Sequence, residues 1–512
     1  MLRGPAVDAL VEDRCIGLRP RRPTTEMKRD PAKPAEVRTA GRLRDLPGVR
    51  AVALVACSIL ALYLGSCRTE RAAPGAPAAT AAGAPRWNVV LVLVDTLRAD
   101  HVGTYGYGRA TTPNLDRFAA DGVVFEAARS QAACTFPSVN SLLTSRWPAG
   151  FLGRSARSPE GDRAPDLSIP PDLPSLPRTL ADAGWFTAAV SASPIVRRGP
   201  TRFNRFGGFQ HGFGQFDEAC LWREARCVVE AARAALRSRP TDRPFFLYVH
   251  FMDVHGPYRA PRAHFSRPYR GTEDYVGRGD PNPIARRIAA GIDPGVMPSD
   301  VDHLVDLYDD EIRYFDEEFG RLLESLRSEG LLDSTVFVLT ADHGEEFLEH
   351  GGVKHCSGVY DTAIRVPLVL RWPDGPRGVR VPGAVALLDV VPTVIDLLGL
   401  APLAGAEGVS LRNPASLDPG RAVFSMQGPW RAVTTGDRKL ILDLRDHDAR
   451  LYDLASDPVE SRDRAVREAS TARDLQSRWT EWARGRSAES ADDAVRHAEE
   501  TERQLKAIGY LE

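Results

Sequence analysis

The chain carries no surplus of charge of either sign: 66 Lys and Arg stand against 68 Asp and Glu, for a formal net charge of −2. Nucleic-acid binders usually gather a basic excess on one face, so that function class receives no support. The seven cysteines show none of the Cys/His spacing of a zinc finger. The apolar run near the start, about fourteen residues, is short for a membrane-crossing helix. What is present suits a large globular protein. A length of 512 residues allows two or three packed units, or one large α/β unit with a smaller companion. The 43 Gly and 39 Pro predict long connections, where sites tend to sit.

Residues 1–50 are rich in Arg and Pro, without apolar periodicity, and are expected to be disordered. "AVALVACSILALYL" (51–64) follows a basic stretch ending in Arg50 and has the length of a signal h-region. It runs into "LGSC" (64–67), which resembles the lipobox of bacterial lipoproteins, whose Cys, here Cys67, is lipidated. A non-cleaved signal anchor is the other reading of 51–67. Residues 68–85 are an Ala/Pro/Gly linker. Both readings put the working part outside the cytoplasm, tethered to a membrane at the periplasm or cell surface. Cys220 and Cys227 can pair there only within a loop. A helix would hold their Cα atoms roughly 10 Å apart, too far for a disulfide.

From residue 86 the pattern changes. "WNVVLVLVDTLRAD" (87–100) opens with a continuous β-branched run, as in a strand buried on both faces of a parallel sheet, and delivers Asp95 at its end. "PFFLYVHFMDVHGPY" (244–258) leads into His250, Asp253 and His255. "STVFVLTADHGEEF" (334–347) delivers Asp342 and His343. Helical patterns lie between, at 111–123, 174–185 and 309–330. The alternation predicts an α/β fold, a mainly parallel sheet sandwiched by helices, over residues 86–402. Ligands bind such sheets beyond the carboxyl ends of the strands, so three strands aim Asp and His at one edge.

Two carboxylates and an imidazole suit one divalent cation, with Ca²⁺, Mn²⁺, Mg²⁺ and Zn²⁺ all open. A nucleophile is supplied by "CTFPSVNSLLTSR" (134–146), where Pro137 sits well in a first helical turn. Thr135 or Cys134 then lies at the positive end of that helix, which favours an alkoxide or thiolate.

Together, "NVVLVLVDTLRADHVGTYGY", "TFPSVNSLLTS", "FLYVHFMDVHGPY" and "LTADHGEEFLEHGG" followed by "YDTAIRVPLVLRWP" resemble, in that order, the sulfatases of the alkaline-phosphatase superfamily. "WRAVTTGDRKLILD" and "LKAIGYLE" resemble that family's small C-terminal α+β subdomain, here 403–512 with a helical tail. The resemblance implies that Asp95, Asp342 and His343 bind the metal, that His255 and His355 contact the substrate's charged oxygens, and that Lys354 is a weaker substrate contact. Aligned on the family's Cys-x-Pro-x-Arg signature through Pro137, the nucleophile and further metal ligand is Thr135. Cys134 stands three residues before the proline and Val139 holds the Arg position. Formylglycine is therefore not expected. Thr96 replaces the second residue of the family's Asp-Asp pair, and "AVSASPIV" (189–196) stands where a Gly-Lys-x-His stretch grips sulfate.

The resulting expectation is a metal-dependent hydrolase of sulfate or phosphate esters, acting on a sulfated or phosphorylated glycan, lipid or small molecule. A phosphoryl-headgroup transferase and a non-catalytic binding protein on the same fold are the alternatives. Elsewhere, His101 is expected to be structural, His350 to shape a loop, and His250 to back the site. Lys439 is expected to be solvated. The basic, Gly/Pro-broken stretch 258–291 reads equally as a lid or a solvated insertion, and 456–509 as a charged helical tail.

Overall fold

The computed structural model describes residues 86–148, 173–199, 207–220, 222 and 224–484. The basic start, the 51–67 targeting segment, the 68–85 linker and the end of the tail lie outside the described residues. Among the described residues, no helix is long and apolar enough to cross a membrane.

The β-branched runs form strands because alternate side chains on both faces can be buried. The main sheet holds β1 (Asn88–Val94), β2 (Val123–Arg129), β3 (Phe186–Ser191), β4 (Gln215–Asp217), β5 (Phe245–Phe251) and β6 (Thr335–Ala341). After the short hairpin β7 (Glu346–Phe347) and β8 (Val353–Lys354), β9 (Leu368–Arg371) and β10 (Val379–Ala386) complete it. The strand order is β10-β2-β9-β6-β1-β5-β3-β4. All neighbours are parallel except β9, which is antiparallel to β2 and β6. Val90, Val92 and Val94 are fully buried, as are Val336, Val338 and Leu339.

The three strands that end in Asp or His are therefore adjacent, with β1 between β5 and β6. Val94 is level with Phe251 on one side and with Ala341 on the other. Asp95 and Asp342 thus leave the sheet at the same height. This register converts three separate sequence signals into one site.

Helices α1 (Pro113–Ala120), α2 (Thr135–Thr144), α3 (Leu176–Asp182) and α4 (Ala225–Ser238) lie between the early strands. The short α5 (Asp274–Gly277) and α6 (Asn282–Ala289) belong to the basic stretch. The helical pattern expected at 309–330 is part of a longer helix, α7 (Pro298–Ser328). Its earlier start follows from Pro298 in the first turn and from Asp300 Oδ2, which accepts the Met297 N–H at 2.8 Å. Carboxylates along α7 fasten loops. Asp310 accepts backbone N–H groups of His264, Phe265 and Ser266 at 2.6 to 3.2 Å, and Glu311 accepts that of Arg259. The 258–291 stretch is anchored by these bonds.

After α8 (Asp361–Ile364) and α9 (Val390–Leu397), the strands β11 (Ala422–Gln427), β12 (Trp430–Thr435), β13 (Arg438–Asp443) and β14 (Asp448–Asp453) form an antiparallel sheet in sequence order. The helix α10 (Ala469–Arg484) stacks Trp482 on Phe424 and edge-on to Trp147. The expected helical tail therefore begins at residue 469. Residues 456–468 are turns, because Asp457 accepts the Arg462 N–H and the Ser461 hydroxyl and so competes with helical bonding.

Lys439 on β13 is fully buried and not solvated as expected. Its Nζ lies 2.8 Å from Asp361 Oδ1 and 2.7 Å from Glu460 Oε1. The antiparallel sheet is also joined to the end of β2 by Ser425 Oγ, which donates to Ser130 O at 2.6 Å, and by Met426 N, which donates to Gln131 O at 2.9 Å.

Candidate active site

Asp95 follows β1, and its N–H still donates to Phe251 O at 3.0 Å, so the sheet fixes its backbone. Asp342 follows β6, with Oδ1 accepting from Thr96 N at 3.3 Å and His343 N at 3.0 Å. His343 Nδ1 is 2.9 Å from Gly344 O. A carbonyl only accepts, so Nδ1 carries the proton and Nε2 offers its lone pair in the neutral ring. Gly344 has a structural reason to be glycine: a β-carbon there would meet Thr362 O at 2.0 Å.

Ligand atoms of Asp95, Asp342 and His343 lie within 4.8 Å of one another, and all three residues are buried. Asp95 Oδ1 and Asp342 Oδ2 are buried with no hydrogen-bond partner among the described residues. Burial pushes the Asp95 and Asp342 carboxyls up to about 6 each, with the two charges opposing one another at Asp342. Burial lowers the His343 imidazole, but the two carboxylates outweigh it and raise the ring's pKa. Two unpartnered buried carboxylate oxygens beside an imidazole lone pair fit a divalent cation. Without one, like charges would face each other in a water-poor cavity.

Thr135 is the first residue of α2, with Cys134 as N-cap in extended conformation. Thr135 Oγ1 lies 3.2 Å from His343 Nε2 and 3.4 Å from Asp95 Oδ2. Helix α2 is pinned to β6 by Ser138, whose hydroxyl donates to Asp342 O at 2.6 Å. His250 sits behind the site as expected, between the Tyr248 hydroxyl at 3.0 Å and Asp95 Oδ2 at 3.3 Å. Burial lowers its imidazole to about 4, so it is neutral there.

His255 and His355 converge on the same place, with ring centroids 5.0 Å apart, and the His355 ring is 4.5 Å from that of His343. His255 Nδ1 is held by Gly256 O at 2.6 Å and His355 Nδ1 by Glu345 Oε1 at 2.9 Å. Burial holds both imidazoles well below their ordinary range. Lys354 donates to Asn282 Oδ1 of α6 at 2.8 Å, so the 258–291 stretch reaches the residue next to His355. Every residue expected at the site is thus within this one neighbourhood.

Several members were not foreseen. Glu345 orients His355 and accepts the Tyr258 hydroxyl at 3.1 Å. Its signal was its place two residues after His343. Tyr308 bridges the backbone of Thr96 and Arg98. Thr96 itself has φ 58°, a left-handed backbone rare for a β-branched residue and typical of constrained sites. Cys134 is bonded to Cys356, with Cα atoms 5.1 Å apart. Cys220 and Cys227 also pair, at a Cα separation of 5.9 Å, which is possible because Cys220 precedes α4.

A sulfatase family model matches residues 87–400, more than half of the chain. The chain belongs to the sulfatase family, and it is an ester-bond hydrolase. It is 24% identical over 424 residues to a sulfatase of Formosa agariphila, covering 73% of this chain and 82% of that one. It is 26% identical over 418 residues to the N-acetylgalactosamine-6-sulfatase of Canis lupus familiaris, covering 70% and 72%. A sulfatase-fold protein solved with its substrate D-glucosamine-2-N,6-O-disulfate superposes with TM-score 0.57 at 19% identity, covering 82% of this chain and 98% of that one. The phosphonate monoester hydrolase of Silicibacter pomeroyi gives TM-score 0.58 at 18% identity, covering 80% and 96%. The sulfatase fold thus carries both sulfate and phosphonate chemistry.

Proposed function

We propose that this sulfatase-family hydrolase cleaves a sulfate or phosphate-type ester through a covalent Thr135 intermediate. A single divalent cation (Ca²⁺, Mn²⁺, Mg²⁺ or Zn²⁺) would be held by Asp95, Asp342 and His343, with the Thr135 oxygen as a further ligand. The observation that carries this reading is the Thr135 hydroxyl at the start of α2, 3.2 Å and 3.4 Å from two of those ligand side chains. The bound cation would lower the hydroxyl's pKa and draw negative charge from the ester.

Thr135 Oγ1 attacks sulfur or phosphorus, and the bond to the leaving alcohol breaks. Asp95 Oδ2 faces the proton that Thr135 releases. The N–H groups opening α2 favour an oxyanion at this end of the helix. His255 and His355 are gripped at Nδ1, so each turns Nε2 to the substrate. A ring gives a proton to the leaving oxygen from Nε2 only after taking up a second proton, which the anionic ester favours. Lys354 lies close to both rings. Water then attacks the same sulfur or phosphorus, returning a proton to Thr135 Oγ1 and releasing the inorganic anion. The threonine carbon bears one oxygen, so release needs this second displacement. That chemistry, and the engagement of Cys134 in a disulfide where a formylglycine precursor would need a free thiol, favour phosphorus at the reacting centre.

Relatives named for sulfated sugars and a fold neighbour named for phosphonate monoesters support an anionic ester of a glycan, lipid or small molecule as substrate. Two disulfides among the described residues support an oxidising compartment outside the cytoplasm, with the 51–67 segment as the membrane tether.

The test compares aryl sulfate, aryl phosphate and bis-aryl phosphodiester with wild type and Thr135→Ala, with bound metal measured in each. Turnover by Thr135→Ala at the wild-type rate would remove Thr135 from the mechanism. Transfer to an added alcohol in preference to water would convert the hydrolase reading into the transferase one.

A further inference from the structure

The Cys134–Cys356 disulfide spans a sequence separation of 222 and lies directly on the reacting groups. Cys134 precedes Thr135, and Cys356 follows His355. The backbone repeats the link, since Cys356 N donates to Ala133 O at 2.9 Å. On the far side, Lys354 and Cys356 both have left-handed backbones, at φ 72° and 69°. Residues with a β-carbon hold that conformation only where their surroundings impose it. The hairpin leading into them has strands of two residues each, too short to impose a shape by itself. His355 therefore sits in a loop with little preference of its own for this geometry. Glu345 fixes its ring, and the disulfide fixes its backbone against the start of α2.

We propose that the Cys134–Cys356 disulfide is a positioning element of the catalytic site, setting His355 against Thr135, so that full turnover requires the oxidised form. This rests on the reading of Thr135 and His355 as reacting groups. Ala133, Val359, Tyr360 and Ile364 pack the two segments together independently of the sulfur atoms. Loss of the link thus loosens the His355 loop and leaves the domain folded. Reduction by a dithiol breaks the S–S bond and gives two cysteine thiols. The dithiol supplies both electrons and both protons and ends as its own disulfide.

The test uses the full chain carrying Cys134→Ala and Cys356→Ala, assayed on the aryl ester that wild type turns over, with bound metal and thermal unfolding followed in parallel. The expected result is a kcat lower by about tenfold or more, with KM within about threefold and metal content unchanged. A merely structural link would lower the unfolding temperature and leave kcat alone well below it. A kcat within about twofold of wild type overturns the inference. If that variant does not fold, a Cys220→Ser/Cys227→Ser enzyme is compared before and after dithiothreitol. Activity lost on reduction and regained on reoxidation supports the inference. Unchanged activity with both Cys134 and Cys356 alkylated overturns it. Thr135→Ala, run alongside, separates the two levels: if it stays active the site reading fails. If it is dead while the disulfide-free enzyme turns over normally, only the positioning role fails.

Discussion

Lys439 donates from Nζ to Asp361 Oδ1 at 2.8 Å, while Arg129 takes both oxygens of the same carboxylate, at 3.0 and 2.7 Å. Burial works against the Asp361 charge, but Arg129 and Lys439 hold its carboxyl far below the usual range. Glu460, on the other side of Lys439, is pushed up by burial and held ionisable by the ammonium. Lys439→Met leaves Glu460 without a cation and Asp361 with one fewer. Unfolding in urea should show a loss of about 3–5 kcal/mol. An unchanged midpoint would mean the cluster is not what joins the C-terminal sheet to the catalytic unit.

Asp316 on α7 caps the start of α1, accepting the N–H groups of Asn114 and Leu115 at 2.8 to 3.1 Å. Burial raises its carboxyl from an ordinary 3.8 to about 6, against those hydrogen bonds. The folded state therefore binds more protons than the unfolded one between these values. Its contribution to stability is greatest below the unfolded pKa and is lost as pH rises through the folded one. Asp316→Asn removes this dependence. The stability of wild type relative to that variant should fall by on the order of 2–3 kcal/mol from pH 4 to pH 7. A flat difference across that range refutes the shift.

Chelation should abolish turnover and lower the unfolding temperature, and divalent cation should restore both. At a free concentration about 100 times its Kd, a cation adds ~2.7 kcal/mol to stability. Asp342→Ala should bind little or no metal and lose the cation-dependent rise in unfolding temperature. Stoichiometric metal in that variant would dismiss the proposed ligand set.

Gly344→Ala sets a β-carbon against the Thr362 carbonyl, and backbone must move to admit it. The displaced carbonyl of residue 344 is the one that orients His343. Metal affinity is expected to fall by about tenfold or more, because second-layer bonds of this type tune ligation. Wild-type affinity, measured by titration, would show that the loop yields without consequence.

The convergence of Asp95, Asp342 and His343 was legible because each strand is a continuous β-branched run ending in Asp or His, and a parallel sheet aligns such ends. The place of Thr135 beside them was legible from its offset to Pro137. The disulfide to Cys356 was not, since no local pattern encodes a pairing across so long a stretch of chain. Glu345 was overlooked because its partner His355 is reached only after the intervening hairpin turns the chain back. The burial of Lys439 had a signal that composition could have supplied. The described residues contain two lysines, Lys354 and Lys439, while arginine serves nearly every other cationic position. In such a chain a lysine marks a place where a compact ammonium is wanted, and both of these sit in polar, mostly enclosed surroundings.

The seam between the C-terminal sheet and residues 130–131 also imposes an order on assembly. Thr135, the proposed nucleophile, follows a few residues later in the chain, yet the strand bonded to residues 130 and 131, β11, begins only at Ala422. Asp342, His343 and Cys356 likewise emerge long after Thr135. A growing chain therefore carries no assembled site, whatever its N-terminal half has already folded. Hydrolytic competence should arrive late and in one step, once the C-terminal sheet is in place.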